Sequence, residues 1–98
     1  MLTGKAKKDF ENWMKDKLLL YPQNELGSLA DMFKAALIIE WLDTVSIIIT
    51  INNEYYDGFH FYWEINKAKP LRSNRVFPTR EQATIFAIEK ANGIYNSV

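Results

Sequence analysis

The side chains that most often perform catalysis are sparse in this chain. His60 is the sole histidine and there is no cysteine, so a Ser-His-Asp triad would have to use His60. No G-x-S-x-G motif is present to carry the serine of such a triad. A single histidine among aromatic residues on a strand is more often a packed or half-exposed sheet residue than a general base. We therefore expect no catalytic residues and a protein that is not an enzyme.

The sequence also gives little reason to expect a metal site or a phosphate-binding site. Zinc sites need several nitrogen or sulfur ligands, and one histidine without cysteine supplies too few. Glu54 and Asp57 fall in one predicted turn and could share a hard cation, but their spacing matches no EF-hand loop, and hairpin tips commonly carry acids for solubility. The four glycines are isolated from one another, so no glycine-rich loop can cradle a phosphate. The sequence predicts no metal site and no cofactor.

The formal net charge is zero, but the charges are unevenly distributed. Residues 18 to 66 carry one basic residue, Lys34, against seven acidic residues. Residues 67 to 80 carry no acid and five basic residues, the candidate nucleic-acid contacts: Lys67, Lys69, Arg72, Arg75 and Arg80. This segment leads into a helix N-terminus, which favours phosphate binding. A solvated basic loop is the simpler interpretation, and a neutral domain lacks the usual charge of nucleic-acid-binding proteins. We do not expect nucleic acid to bind.

Aromatic residues offer a second type of contact. Tyr55 and Tyr56 are adjacent in a predicted turn, where both cannot easily be buried. Tyrosine is enriched at protein interfaces, so these two residues are the candidate partner contacts. Phe59, Phe61 and Trp63 alternate along the next strand and could stack nucleic-acid bases. Their spacing is more typical of a sheet face that packs against helices.

The elements that would position these residues follow from periodicity. Ala6, Phe10 and Trp13 recur at helical spacing, Ser28 begins a second helical pattern, and Thr79 with Gln82 forms a capping box. The sequence predicts helices over about residues 5–20, 28–44 and 79–96, strands over about 45–52 and 58–66, and a short strand over about 75–77. The predicted fold is α+β: one domain over residues 1–98, with two layers, a small antiparallel sheet of two or three strands packed with helices, in the order α-α-β-β-(β)-α.

A core is expected between the sheet and the helices. Its predicted members are Phe33, Leu37, Ile47, Ile49, Phe61, Trp63, Ala87 and Ala91. The second helix is apolar on nearly every side, so we expect the sheet to cover one side of it and the first helix or a second subunit to cover the other. The second face of the sheet also needs a cover from the first helix or a second subunit. These patterns favour a small protein-interaction module that binds another protein or itself as a homodimer.

The order helix, three strands, helix from residue 28 onward resembles the double-stranded-RNA-binding domain. In that family a lysine-rich start of the last helix grips phosphates. Here the last helix starts with Thr79-Arg80-Glu81-Gln82, so the resemblance implies a shared topology and no RNA-binding residues.

A resemblance over almost the whole chain lies in the runs Leu29 to Phe33, Glu40 to Val45, Phe77 to Ala83 and Ala87 to Asn92. These runs are similar to small uncharacterised proteins of Bacteroidetes bacteria and their phages. The resemblance implies a cytoplasmic protein of unknown function and transfers no functional residue. The longest unbroken apolar run of the middle region, Ala35 to Ile39, is far short of the roughly 20 residues of a membrane helix, so we expect no membrane association.

Overall fold

A computed structural model describes residues 1–17, 31–67 and 69–97 of the chain. The elements in chain order are α1 (Gly4–Lys17), α2 (Asp31–Thr44), β1 (Ile48–Tyr55), β2 (Phe59–Asn66), β3 (Leu71–Arg72) and α3 (Arg80–Asn96). The three strands form one antiparallel sheet in the order β1-β2-β3. The predicted α+β fold and its element order are therefore confirmed. The predicted helix ends at residues 18–20 and 28–30, with the expected Ser28 cap, lie outside the described residues.

The first strand begins three residues later than predicted. Val45, Ser46 and Ile47 close the C-terminus of α2, since the amides of Val45 and Ile47 both donate to the Leu42 carbonyl at 3.0 Å. Ser46 has a φ of 64°, the left-handed conformation that commonly ends a helix. These residues have strand-forming side chains, but their backbone hydrogen bonds belong to the helix. At its other end β1 runs on to Tyr55, because the connection to β2 is only residues 56 to 58.

The third strand also lies elsewhere than predicted. β3 is formed by Leu71 and Arg72, whereas the predicted strand at residues 75–77 is reduced to one bridge between Phe61 and Phe77. The amide of Phe61 donates to the Phe77 carbonyl at 2.8 Å, and the amide of Phe77 donates back at 2.7 Å. The Ser73 amide still donates to the Trp63 carbonyl at 2.9 Å, but the regular pairing ends there, because the Ser73 hydroxyl accepts from the Trp63 amide and donates to the Arg75 carbonyl. The chain therefore bulges between two short contacts with β2.

The last helix begins as its sequence predicts. The Thr79 side chain is the N-cap, and its hydroxyl accepts the Gln82 amide at 3.1 Å. Ala83, Ala87 and Ala91 are fully buried, because small residues at this spacing allow the helix backbone to lie close to the sheet. The predicted span of residues 79–96 therefore agrees with α3 and its cap.

The core lies between one side of the sheet and helices α2 and α3, and α1 contributes Ala6 to it. Its central members are Ala6, Ala35, Ile38, Trp41, Leu42, Ile47, Ile49, Ile65, Ala87, Ile88 and Ala91. Five predicted core residues are buried: Leu37, Ile47, Ile49, Ala87 and Ala91. Trp63 is half-buried against the core and Phe61 is half-buried. The prediction for Phe33 is wrong, since its side chain is 39% exposed near the start of α2.

Helix α1 packs against both of the other described helices, α2 and α3. The Phe10 ring contacts the Trp41 ring edge-on at 5.9 Å, and Trp41 contacts Tyr95 of α3 at 5.0 Å. Within the described residues α1 contacts both other helices but no strand, so it does not cover the second face of the sheet. Ile48 on that face is 39% exposed. In the parts of the chain that the structure describes, no helix is both long and apolar enough to cross a membrane.

Candidate interaction surface

The tip of the β1–β2 hairpin presents two tyrosines to solvent. Tyr55 is 73% exposed and Tyr56 is 55% exposed. The turn is tight: the Tyr56 amide donates to the Gly58 carbonyl at 3.0 Å. Asp57 has a φ of 50°, a left-handed conformation that aspartate adopts more readily than most residues. The structure thus places both candidate contact residues at the surface, and their contact with a partner stays a prediction.

The two tyrosine rings pack against different neighbours. The Tyr55 ring meets the Phe59 ring edge-on, with centroids 5.0 Å apart. The Tyr56 ring stacks on the His60 ring at 4.2 Å, with an interplanar angle of 18°. His60 Nε2 also lies 3.0 Å from the Tyr56 carbonyl oxygen. His60 is therefore a half-buried sheet residue that supports the hairpin tip, in keeping with its interpretation from the sequence.

Aromatic side chains, some exposed and some buried, continue from the hairpin tip towards α3. Phe59 is 61% exposed, and Phe61 lies on the same side of β2 two residues later. Phe61 pairs through its backbone with Phe77, a buried residue whose ring lies 5.0 Å from that of Phe86. Phe86 is 44% exposed. We call these five residues the aromatic surface: Tyr55, Phe59, Phe61, Phe77 and Phe86.

Two arginines lie over the aromatic surface. The Arg75 guanidinium is 4.7 Å from the centre of the Phe77 ring and 4.9 Å from that of Phe86. The Arg80 guanidinium is 5.2 Å from the centre of the Phe61 ring. A cation over an aromatic face is attracted by the negative charge of that face, by about 0.5–1 kcal/mol at an exposed site. The aromatic surface is thus bordered by positive charge.

The five basic residues of segment 67–80 do not form one patch. Arg72 Nη2 pairs with Glu54 Oε1 at 2.9 Å, and the Arg72 guanidinium lies over the Tyr62 ring, on the opposite side of the sheet from Arg75 and Arg80. Lys67 borders a separate cavity together with Lys5. Lys69 is exposed. The five basic residues are therefore close in the sequence but do not form a single phosphate-binding face.

A groove runs between α3 and the segment that follows β3. It consists of two adjoining cavities of about 390 and 330 Å³, which share Trp63, Asn74 and Lys90. We use "the groove" for the space lined chiefly by Trp63, Asn74, Arg75, Phe77, Phe86 and Lys90. Its apolar residues belong partly to the aromatic surface. The groove is therefore a continuation of that surface along α3.

Sequence reasoning assigned no role to Phe86 or Lys90, although the sequence carries a signal for Phe86. Ala83, Ala87 and Ala91 define the buried side of α3. Phe86 directly precedes Ala87, about 100° away around the helix, and so falls outside that buried side. A large aromatic residue at such a position indicates either a further contact within the chain or a contact with a partner. No comparable signal identifies Lys90, since a lysine on a helix is ordinarily solvated.

Glu54 and Asp57 are the two acidic residues that the sequence placed in one turn as possible ligands of a hard cation. Glu54 is paired with Arg72, so its carboxylate is already compensated. Among residues 1–17, 31–67 and 69–97, no group of three or more His, Cys, Asp or Glu side chains is arranged to hold a metal ion. On the side of the sheet that faces α3, the described side chains bring together aromatic rings and arginines.

No family model, curated protein or solved structure matches this chain.

Proposed function

We propose that this protein is a small non-enzymatic interaction module that associates with itself through the aromatic surface. The observation that carries this proposal is the exposure of Tyr55, Phe59 and Phe86, which the half-buried Phe61 and the buried Phe77 connect along the same side of the sheet. Contiguous exposed apolar patches commonly mark interaction sites, and tyrosine, phenylalanine and arginine are enriched in them. The absence of cysteine favours action in the reducing cytoplasm. The family resemblance favours a bacterial or phage origin.

The site of self-association differs from the one that the sequence suggested. The apolar surplus of α2 was the sequence-based reason to expect a homodimer, and the Phe10 ring of α1 packs against Trp41 on that helix. The aromatic surface provides a different reason, because Tyr55 and Phe59 lie beyond the cover of the helices. The exposed rings are held by contacts with each other, so a partner would meet a surface that is already ordered.

Sedimentation velocity over a series of protein concentrations tests this function. The wild-type protein should show a concentration-dependent increase in mass, and Phe59→Ser should shift the increase to higher concentration. Ile48→Ser is the matched control, because Ile48 is also an exposed strand residue but lies on the opposite side of the sheet. A wild-type protein that stays monomeric into the high micromolar range would contradict self-association.

Nucleic-acid binding through segment 67–80 is the second candidate. Its support is that Lys67, Lys69, Arg72, Arg75 and Arg80 are all exposed and that their segment leads into the N-terminus of α3. This candidate is weakened because the basic residues are divided between two sides of the sheet. Titration of labelled duplex RNA and single-stranded DNA at low and moderate salt tests it, since phosphate contacts weaken steeply with salt. We expect no binding; saturable, salt-sensitive binding that is lost in an Arg72→Gln/Arg75→Gln variant would establish this candidate instead.

A further inference from the structure

The groove combines an apolar floor with a positively charged rim. Trp63 is half-buried at its base, and Phe86 forms part of the α3 wall. Arg75 and Lys90 contribute positive charge, against one acid, Glu89. Arg72 also borders the groove, but its guanidinium is turned to Glu54 and Tyr62 on the other side of the sheet. The groove therefore has a net positive charge of about one and favours an occupant with an aromatic ring and a carboxylate.

Arg75 is oriented for such an occupant. Its guanidinium lies over both Phe77 and Phe86, which limits the conformations of a long side chain. A guanidinium that rests on aromatic faces keeps its N–H groups in its own plane, where they can donate to a carboxylate. Less conformational entropy is lost on binding when the side chain is already held in place.

The hairpin tip of the same chain carries the complementary groups. Tyr55 is the most exposed of the large hydrophobic residues in the described parts of the chain, at 73%. Asp57 is exposed two residues later, and within the described residues it has no ion pair. Glu54 is compensated by Arg72, so Asp57 is the charge of the tip that remains available.

We propose that the hairpin tip of one copy occupies the groove of a second copy. The Tyr55 ring lies against Trp63 and Phe86 of the second copy, and the Asp57 carboxylate accepts hydrogen bonds from Arg75 and Lys90. The proposal rests on the self-association proposed above and specifies its contact. Tip and groove are different surfaces of one chain, so two copies that exchange tips form a closed dimer with two equal contacts.

Charge reversal on each side of this contact provides the test. In a dimer of two Asp57→Lys copies, each positively charged tip faces a positively charged groove. In a dimer of two Arg75→Glu copies, each negatively charged tip faces a negatively charged groove. Each variant alone should associate at least about tenfold more weakly than wild type, since like charges at a contact repel. In an equimolar mixture of the two variants, both tip–groove contacts again join opposite charges. The mixture should therefore recover association, as measured by sedimentation velocity.

The controls separate the effect of the contact from effects on folding. Asp43→Lys and Lys8→Glu make the same charge changes at exposed helix positions outside tip and groove, and both should associate like wild type. Because lysine is strained at the left-handed φ of residue 57, Asp57→Asn serves as a second tip variant that tolerates this conformation. Asp57→Asn should weaken association less than Asp57→Lys. Circular dichroism confirms that each variant is folded.

The outcomes distinguish this contact from the proposed function. If the wild type associates and both charge-reversal variants associate equally well, the tip–groove contact is wrong and self-association stands. If each variant fails alone and the mixture does not recover, the two residues do not face each other, which also overturns the contact. A wild-type protein that is monomeric throughout contradicts both proposals.

Discussion

The Tyr95 hydroxyl in α3 donates a hydrogen bond to the Asp9 carboxylate in α1. The two residues are 86 positions apart, so the bond joins the first and last helices of the chain. This hydrogen bond to Asp9, together with partial burial and the negative charge of the carboxylate, raises the pKa of Tyr95 above its ordinary value of 10.0. The Tyr95 ring also contacts Trp41, the residue against which Phe10 packs. The hydrogen bond between Tyr95 and Asp9 therefore lies beside the aromatic cluster of Phe10, Trp41 and Tyr95, to which each of the three helices contributes one ring.

Tyr95→Phe should lower the free energy of unfolding by about 1–2 kcal/mol at neutral pH, since it removes a partly exposed hydrogen bond to a charged acceptor. The folded-state pKa is raised, so this stabilisation is complete below the unfolded tyrosine pKa of about 10 and is lost as the pH rises through the folded-state pKa. Urea unfolding at neutral and at high pH checks this. The difference in free energy of unfolding between wild type and Tyr95→Phe should shrink at high pH. A difference that stays constant would contradict the stabilising role of the Tyr95 hydroxyl proton.

Asn96 fixes the start of α1 against α3. Its Oδ1 accepts the Ala6 amide at 2.8 Å and its Nδ2 donates to the Thr3 carbonyl at 2.9 Å. Asn96→Ala should cost about 1–3 kcal/mol, because the Ala6 amide would then lack its partner at a part-buried site. Hydrogen exchange should show faster exchange of the Ala6 amide. Asn66→Ala, at an exposed strand end, is the control and should leave both quantities unchanged.

The two sides of the sheet should differ sharply in their sensitivity to substitution. Ile65 is fully buried, while Ile48 on the opposite side is 39% exposed. Ile65→Ala should cost about 2–5 kcal/mol, because it leaves a cavity in the core. Ile48→Ala should change stability by less than about 1 kcal/mol, as most surface substitutions do. Denaturant midpoints give both values, and equal losses would mean that the second face of the sheet is covered as thoroughly as the first.

The sequence was sufficient for features that depend on local patterns. Thr79 with Gln82 predicts the start of α3, and the prediction of Ile49 as a core residue identifies the side of β1 that faces the helices. Ser46 shows where local reasoning fails. Its neighbours favour a strand, but the carbonyl groups at the end of α2 need partners, and their hydrogen bonds govern the backbone of residues 45 to 47.

The candidate site was predictable only in part. Exposure of Tyr55 and Tyr56 follows from two large residues beside a short turn. The groove could not be predicted, because it depends on the bulge that Ser73 imposes after β3 and on the position of α3 beside Trp63. Arg72 and Arg75 are three residues apart and lie on opposite sides of the sheet. The side of the sheet on which each arginine lies is set by the register of β3 against β2. The short basic segment does not determine this register by itself.

The most direct test of the aromatic surface is an NMR dilution series of the wild-type protein. Amide chemical shifts are followed as the concentration falls, so every residue reports whether it lies at the self-association site. We predict concentration-dependent shifts concentrated in residues 55–61, 73–77 and 86–90, with little change in α1. Shifts confined to α1 or to Ile48 and its neighbours on the opposite side of the sheet, or no shifts at any concentration, would contradict self-association through the aromatic surface.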